Sequence, residues 1–302
     1  MKLDLHIHTN CSDGSDSWIT ILQKAEKLEL DYISITDHNN CDVYFQMKNP
    51  EKYFSGKIVP GIEPECFYMG RCIELLGYGI DVGKMRDSLE GLYMSSEERG
   101  QGQLVKLYAA LIKGGVKLSP NVLTTWDKEK HYYAGCHLLE DLKKYPENRK
   151  FIPDDESWNN GIQFYRNYAC NAKSPFYIDE SDLYPSATTI YNLIKRASGL
   201  VFIPHVFAYG DDSIRVLESL MKDFKIDGIE CFYNSFTPEQ TEYLLNFCKK
   251  HNLLVSAGSD YHGVQRPHIK LGVEDVRLKE LTGWLEGVSV KGEKKKIWTN
   301  NK

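Results

Sequence analysis

Leu200-Val201-Phe202-Ile203-Pro204-His205 is a short apolar run that ends in a histidine, and the chain repeats this pattern. Gly228-Ile229-Glu230-Cys231-Phe232-Tyr233 is a second run, and Leu253-Leu254-Val255-Ser256-Ala257 is a third that leads into Gly258-Ser259-Asp260-Tyr261-His262-Gly263. Runs of this length, bounded by Gly and Pro and rich in β-branched or aromatic residues, predict strands. Between them, Asp212 to Phe224 has helical periodicity. Thr237-Pro238-Glu239-Gln240 supplies a capping threonine, a first-turn proline and a glutamine at the third helical position, which opens a helix through His251. Strand, helix, strand in this order predicts a parallel sheet with covering helices, an α/β fold.

The same grammar is present at the start of the chain. Leu3 to Ile7 reads as a strand, and Trp18, Leu22, Ala25 and Leu28 recur at helical spacing. Tyr32 to Thr36, Lys57 to Gly61 and Ile73 to Ile80 read as further strands. From Arg86 to Pro185 the text changes to helical and irregular sequence rich in Tyr, Asn, Asp and Lys. Glu97 to Lys113 predicts a helix ended by Gly114-Gly115, and Lys143 to Asn160 a surface loop. The expected organisation is therefore a barrel-type domain over 1–85 and 186–302, interrupted by an 86–185 subdomain or lid. Lys291 to Lys302 reads as a solvated basic tail.

Composition narrows the function. The 302 residues carry 37 Lys and Arg against 42 Asp and Glu, a formal charge of -5, which argues against a protein that coats duplex nucleic acid. No apolar run approaches a membrane span, and Met1 to His6 has no apolar signal core. The eight cysteines show no CxxC pair and read as free thiols, so the chain is expected to be cytoplasmic.

The polar residues cluster where strands end. His6 and His8 project to one face of the first strand. His38 closes the second, Glu63 closes the third, Glu74 lies in the fourth, and His205, Asp260 and His262 close later ones. Carboxyl ends are where parallel α/β folds place their sites. Imidazole and carboxylate without thiolate predict a catalytic Zn, Mn or Fe centre. Glu65 is a rival to Glu63 on the same face, and Glu230 is expected to support a ligand from behind. His131 and His137 have no zinc spacing and read as structural.

His6-Ile7-His8-Thr9, Ser12-Asp13-Gly14, Thr36-Asp37-His38-Asn39, Gly61-Ile62-Glu63 and Gly258-Ser259-Asp260-Tyr261-His262-Gly263 together resemble the PHP (polymerase and histidinol phosphatase) family over residues 1–85 and 186–275. The resemblance implies a distorted (β/α)7 TIM-like barrel and a cluster of two or three metals that hydrolyses phosphate esters. Asp13 and the insertion look more like its nucleotide-phosphoesterase branch. Carried over motif by motif, His6, His8, Glu63 and Asp260 would hold one metal, and Asp13, His38 and His262 a second.

The family's third metal draws on a histidine before the Leu-Gly of the fourth strand and on the histidine of an Arg-x-His-x-Ala segment. This chain has Glu74 at the first position and Tyr168 at the second, within Arg166-Asn167-Tyr168-Ala169. A neutral phenol is a poor ligand near neutral pH, so the expectation is two divalent ions, with Glu74 a weak ligand at a weak or empty third site. Tyr168 would contact substrate or pack in the lid. His205 is the expected proton donor or phosphate contact, and Arg166, Arg266 and His268 are candidates for holding phosphate, Arg166 at the catalytic centre.

The function so implied is hydrolysis of a phosphoric monoester on a small molecule, a nucleotide being one candidate. Histidinol phosphate phosphatase, a nuclease, and a non-catalytic metal-binding sensor or scaffold are the alternatives. No membrane partner is expected, and the oligomeric state is not legible.

Overall fold

A computed structural model describes residues 1–127 and 134–288; His131 and the basic tail lie outside the described residues. Two compact units are distinct. One comprises Met1–Glu65, Glu74–Glu90 and the described chain from Thr188 onward. The other comprises Cys66–Ile73 and the described part of Gly91–Ala187.

In the first unit, β1 (Lys2–Ile7), α1 (Trp18–Lys27), β2 (Tyr32–Ile35), α2 (Asp42–Gln46), β3 (Lys57–Ile58) and β4 (Gly61–Ile62) come first. Pro60 has no N–H for a ladder, and the run read from Lys57 to Gly61 accordingly divides into β3 and β4. The chain then leaves for a hairpin of β5 (Glu65–Tyr68) and β6 (Arg71–Glu74), whose Cys66–Ile73 belongs to the second unit, and returns with β7 (Leu76–Tyr78) and α3 (Val82–Leu89). The single strand expected over Ile73 to Ile80 is thus two, separated at Leu75, whose N–H is taken by the Pro64 carbonyl.

The two sheets of this unit run β11–β1–β2–β3 and β10–β9–β8–β7–β4. Here β8 is Leu200–Ile203, β9 Gly228–Tyr233, β10 Leu254–Gly258 and β11 Val273–Glu274. Pairs β1–β2, β2–β3, β8–β9 and β9–β10 are parallel, as the alternation predicts. β7 departs from that pattern and lies antiparallel to both β4 and β8. A parallel neighbour needs a crossover, usually a helix, and the segment between β4 and β7 is spent on the hairpin instead.

The ladder does not close into one barrel among the described residues. Two short seams join the sheets: a bridge between Ile7 and Tyr261, and one between His38 and Glu63. Both seams sit at strand carboxyl ends, beside the polar residues singled out above.

β1 is buried on both faces, so Asp4 and His6 are as enclosed as Leu3, Leu5 and Ile7. Asp4 accepts hydrogen bonds from the Ser259 hydroxyl (2.5 Å) and N–H (2.9 Å) and from the Gly272 N–H (2.8 Å). Burial pushes its carboxyl up to about 6, against those bonds. α9 (Ser213–Asp223) and α10 (Pro238–His251) lie between the late strands, and the capping box of Thr237 and Gln240 at α10 forms as the sequence predicts.

In the second unit, α4 (Ser96–Lys113) starts at a Ser95–Glu98 capping box and buries Leu104, Leu107 and Leu111. They pack in one core with Leu138 and Leu142 of α5 (Ala134–Leu142) and with Phe164 and Phe176. The stretch read as a loop from Lys143 to Asn160 contains a 3-10 helix, Pro146–Phe151, and α6 (Asp155–Asn159). The proline and the Asp154 cap start these two short helices, which the polar composition concealed. After α7 (Gly161–Phe164), Tyr165–Ala169 forms one π-helical turn. The first unit resumes with α8 (Ala187–Arg196). No described helix is long and apolar enough to cross a membrane, and none of the eight cysteines is in a disulfide.

Candidate metal centre

Two groups of side chains converge at the strand ends: His6, His8, Glu63 and Asp260, and His8, Asp13, His38 and His262. Within the first, His6 Nε2 and His8 Nε2 each lie 3.1 Å from Glu63 Oε2, and 3.5 and 3.2 Å from Asp260 Oδ1. Ligands about 2.1 Å from a shared cation lie about 3.0–3.4 Å apart along the edges of its polyhedron, so these spacings suit a bound ion. In the second group His262 Nε2 is 3.2 Å from Asp13 Oδ2, and His38 Nε2 is 3.9 Å from Asp13 Oδ1. His8 faces both groups, with Nδ1 3.6 Å from Asp13 Oδ1.

The chemistry of the donors fits a metal. His6 Nε2, both nitrogens of His8, His262 Nε2 and Asp13 Oδ1 are buried and make no well-aligned hydrogen bond, although carboxylates stand close by. Such orphaned polar atoms are costly without a partner. The opposite nitrogens are committed. His6 Nδ1 is 3.0 Å from Glu230 Oε1, and since a carboxylate only accepts, Nδ1 carries a proton and Nε2 is the nitrogen left to face a cation. His262 Nδ1 is likewise 2.8 Å from the Asp260 carbonyl.

Electrostatics point the same way. Burial by itself lowers the His6 imidazole, but Glu63, Glu230 and Asp260 outweigh it and hold the group well above its ordinary value. Burial also opposes protonation of His8, yet Asp260 and Glu63 raise it to about 10. For Glu63 and Asp260 burial is again overcome, and the histidines around them hold both carboxyls well below the usual range. His262 is lowered, by burial first. Protons thus occupy positions where a divalent cation would balance the same carboxylates.

The backbone is shaped for this convergence. Gly258 ends β10 where a Cβ would come within 2.2 Å of His6 Cβ and 2.7 Å of Glu230 Oε1. Asp260 (φ 57°), His205 (φ 26°) and Asn39 (φ 59°) all adopt positive φ, a concentration of strain typical of functional sites.

His205 Nε2 lies 3.1 Å from Glu63 Oε1, its N–H donates to Glu230 Oε2 (2.8 Å), and Nδ1 is orphaned. Burial opposes protonation of His205, but Glu63 prevails and raises it. Arg266 pairs with Asp260 Oδ2, and the Tyr233 hydroxyl donates to the same oxygen (2.9 Å). His268 is exposed and lies in neither group.

Glu65 is engaged by Asn39 Nδ2 (2.6 Å), which leaves Glu63 as the carboxylate facing the histidines. Glu74 stands outside both groups and accepts from the Tyr209 hydroxyl (3.1 Å). Arg166 is exposed on the π-helical turn. Tyr168 packs beside the core of the second unit and donates to Asp154 Oδ2 (2.6 Å). Burial and Asp154 push the Tyr168 phenol up, away from the deprotonation a ligand would need. His137 Nε2 meets the Val122 carbonyl at 2.9 Å.

Two contributors escaped the sequence reading. Tyr233 orients Asp260, and Asp37 accepts from the Thr9 N–H (2.7 Å), the Thr9 hydroxyl and the Ser12 hydroxyl (both 2.6 Å), which fastens the loop carrying Asp13. A carboxylate next to His38 and three hydroxyl-bearing or small residues near Asp13 were the available signal.

An α/β fold with imidazoles and carboxylates gathered at strand ends, their free nitrogens turned inward, defines a metal-dependent enzyme. Residues 4–144 match the model of the PHP domain. A 5'-3' exoribonuclease of Haemophilus influenzae is 25% identical over 86% of this chain and 90% of its own. A phosphoribosyl 1,2-cyclic phosphate 1,2-diphosphodiesterase of Eggerthella lenta is 23% identical over 88% and 97%. Among solved structures, a Chromobacterium violaceum chain described as an amidohydrolase with bound sulfate shares the fold at a TM-score of 0.63, with 19% identity over 96% of this chain and 98% of that one.

Proposed function

We propose that the chain hydrolyses a phosphate ester of a small ribose-bearing molecule, a nucleotide among them, releasing a monoester's phosphate at a two-ion centre of Mn, Zn or Fe. The observation that carries this reading is the pair of donor groups that share His8 and hold buried, orphaned nitrogens. His6, His8, Glu63 and Asp260 would hold one ion, and Asp13, His38 and His262 the other. Divalent ions bound there supply the Lewis-acid charge that phosphoryl transfer needs.

The chain's own residues do the rest. Glu230 and the Asp260 carbonyl fix the tautomers of His6 and His262. His205, raised by Glu63 and with its Nδ1 free of partners, is placed to donate a proton to the leaving oxygen. Arg266, beside Asp260, is the phosphate-facing cation. Arg166, on the second unit, is a further candidate for that role, and His268 a weaker one. The third ion of the family would be weak or lacking here, because Glu74 is engaged by Tyr209 and Tyr168 by Asp154. The two seams between the sheets support a distorted (β/α)7 barrel.

A second reading, a 5'-end ribonuclease, is favoured by the name of the Haemophilus relative. The two separate in one assay of the metal-reconstituted protein. Phosphate release from nucleoside monophosphates supports the first reading, and nucleotide release from single-stranded RNA without monoester turnover supports the second. Lack of either, with and without Mn or Zn, overturns both.

A further inference from the structure

The donors of the second group, Asp13, His38 and His262, sit on connections rather than within strands. Asp13 lies between β1 and α1, and His262 in the turn that follows β10. The Asp13 and His38 side chains are each 22% exposed, whereas His6, His8 and Glu63 of the first group are enclosed. Loops are more mobile than the elements they join. The 3.2 Å approach of His262 Nε2 to Asp13 Oδ2 therefore needs the two connections to be fastened to each other.

Ser15 and Asp16 supply the fastening. The Ser15 N–H donates to the His262 carbonyl (3.1 Å), and the Val264 N–H donates to Ser15 Oγ (2.9 Å). Gly263 has φ 67°, and a Cβ there would lie 2.0 Å from Ser15 Oγ, so this close approach needs a glycine. Asp16 Oδ2 accepts from the Tyr261 hydroxyl (2.8 Å) and from Lys24 Nζ of α1 (2.6 Å), and Lys24 Nζ also donates to the Tyr261 oxygen (2.7 Å). Ser15, Asp16, Lys24 and Tyr261 belong to neither donor group.

We infer that Ser15 and Tyr261 are positioning residues for the second ion: they clip the Asp13 loop to the His262 turn and so set that ion's affinity separately from the first. The inference rests on the two-ion reading and goes beyond it by naming what distinguishes one ion's site from the other's. The first group does not depend on the clip. Its Asp260 is fixed from the opposite side, with its own N–H on the His6 carbonyl (2.8 Å) and the preceding Ser259 N–H on Asp4 (2.9 Å). His6, in turn, is carried by β1 itself.

The test is titration of the full, metal-free chain with Zn²⁺ in competition with a chromophoric chelator, which reports each ion's affinity, with far-ultraviolet circular dichroism as the check on folding. His38→Ala removes a donor of the second group alone and so identifies the step that belongs to that ion. Ser15→Ala takes one hydroxyl from a half-buried position, and Tyr261→Phe keeps the ring. Each is expected to weaken that step by about 10- to 100-fold, the range for groups that orient metal ligands, and to leave the other step unchanged. Unchanged affinity in both folded variants overturns the clip, and so does an equal fall in both steps, which a merely structural contact would give. Uptake of fewer than two ions by the native chain overturns the two-ion reading and the clip with it. Selective loss of the second ion without phosphate-ester hydrolysis by the native chain would instead overturn the phosphoesterase reading and leave the clip standing.

Discussion

Replacing Glu230 by glutamine isolates the group that decides which nitrogen of His6 faces the centre. Glu230 is fully buried, with Oε1 on His6 Nδ1 at 3.0 Å and Oε2 on the His205 N–H at 2.8 Å. Both contacts require an acceptor, and glutamine has one acceptor and one donor on its amide. With its oxygen toward the His205 N–H, its NH2 faces His6 and forces Nδ1 to accept. The proton then moves to Nε2, and the lone pair the metal would use is lost. With the amide turned the other way, His6 keeps its tautomer but the His205 N–H meets another donor, an unsatisfied buried pair that costs about 1–3 kcal/mol.

The first orientation predicts a 10–100-fold fall in metal affinity, about 1.4–2.7 kcal/mol, and the second a loss of folding stability with the affinity kept. Competition of native and variant protein against a chromophoric chelator at pH 7.5 measures it, with far-ultraviolet circular dichroism as the check on folding. An affinity within twofold of native, in a variant that is also as stable as native in urea unfolding, would refute the assignment of Glu230 as the residue that sets the His6 tautomer and, with it, of His6 Nε2 as a ligand.

Metal loading should release at least one proton near pH 7.5, because His6 and His8 hold protons in the metal-free centre, His8 up to about pH 10. Apparent affinity therefore rises with pH below that value, and calorimetry in buffers of different ionisation enthalpy counts the protons; a count of zero would contradict the exchange of protons for cations at these carboxylates. Gly258→Ala would push a methyl to 2.2 Å from His6 Cβ, and is expected to lower stability by about 3 kcal/mol in urea unfolding; a neutral result would mean β1 and β10 can part without cost. Tyr168→Phe should remove about 1 kcal/mol through the lost Asp154 bond and leave the bound metal unchanged, as should Glu74→Gln; a fall in metal content by mass spectrometry in either variant would sink the two-ion account.

Much of this was written in the sequence, because it depends on local rules. Strand period, the Thr237 capping box and the helix read over Glu97 to Lys113 follow from side-chain spacing and backbone donors within a few residues. The residues of the centre were legible too, as His and carboxylate at the ends of apolar runs point one way in a parallel α/β chain. Other features were not local. The polar composition of residues 143–160 hid two short helices, and nothing in Leu75 announced that β6 and β7 would separate. The antiparallel course of β7 depends on where the hairpin spends the connection.

The amino-acid sequence determined the alternation of strands and helices and the identity of the donors. Tertiary structure decided how those donors are used. His8 turns one nitrogen to each group, Glu63 rather than Glu65 faces the histidines, Glu230 fixes His6 from behind, and Asp37 anchors the loop of Asp13. The physical reason is distance along the chain. His6 and Glu230, or Asp13 and His262, become neighbours only when strands far apart in sequence are packed side by side, and no local propensity encodes which oxygen then meets which nitrogen.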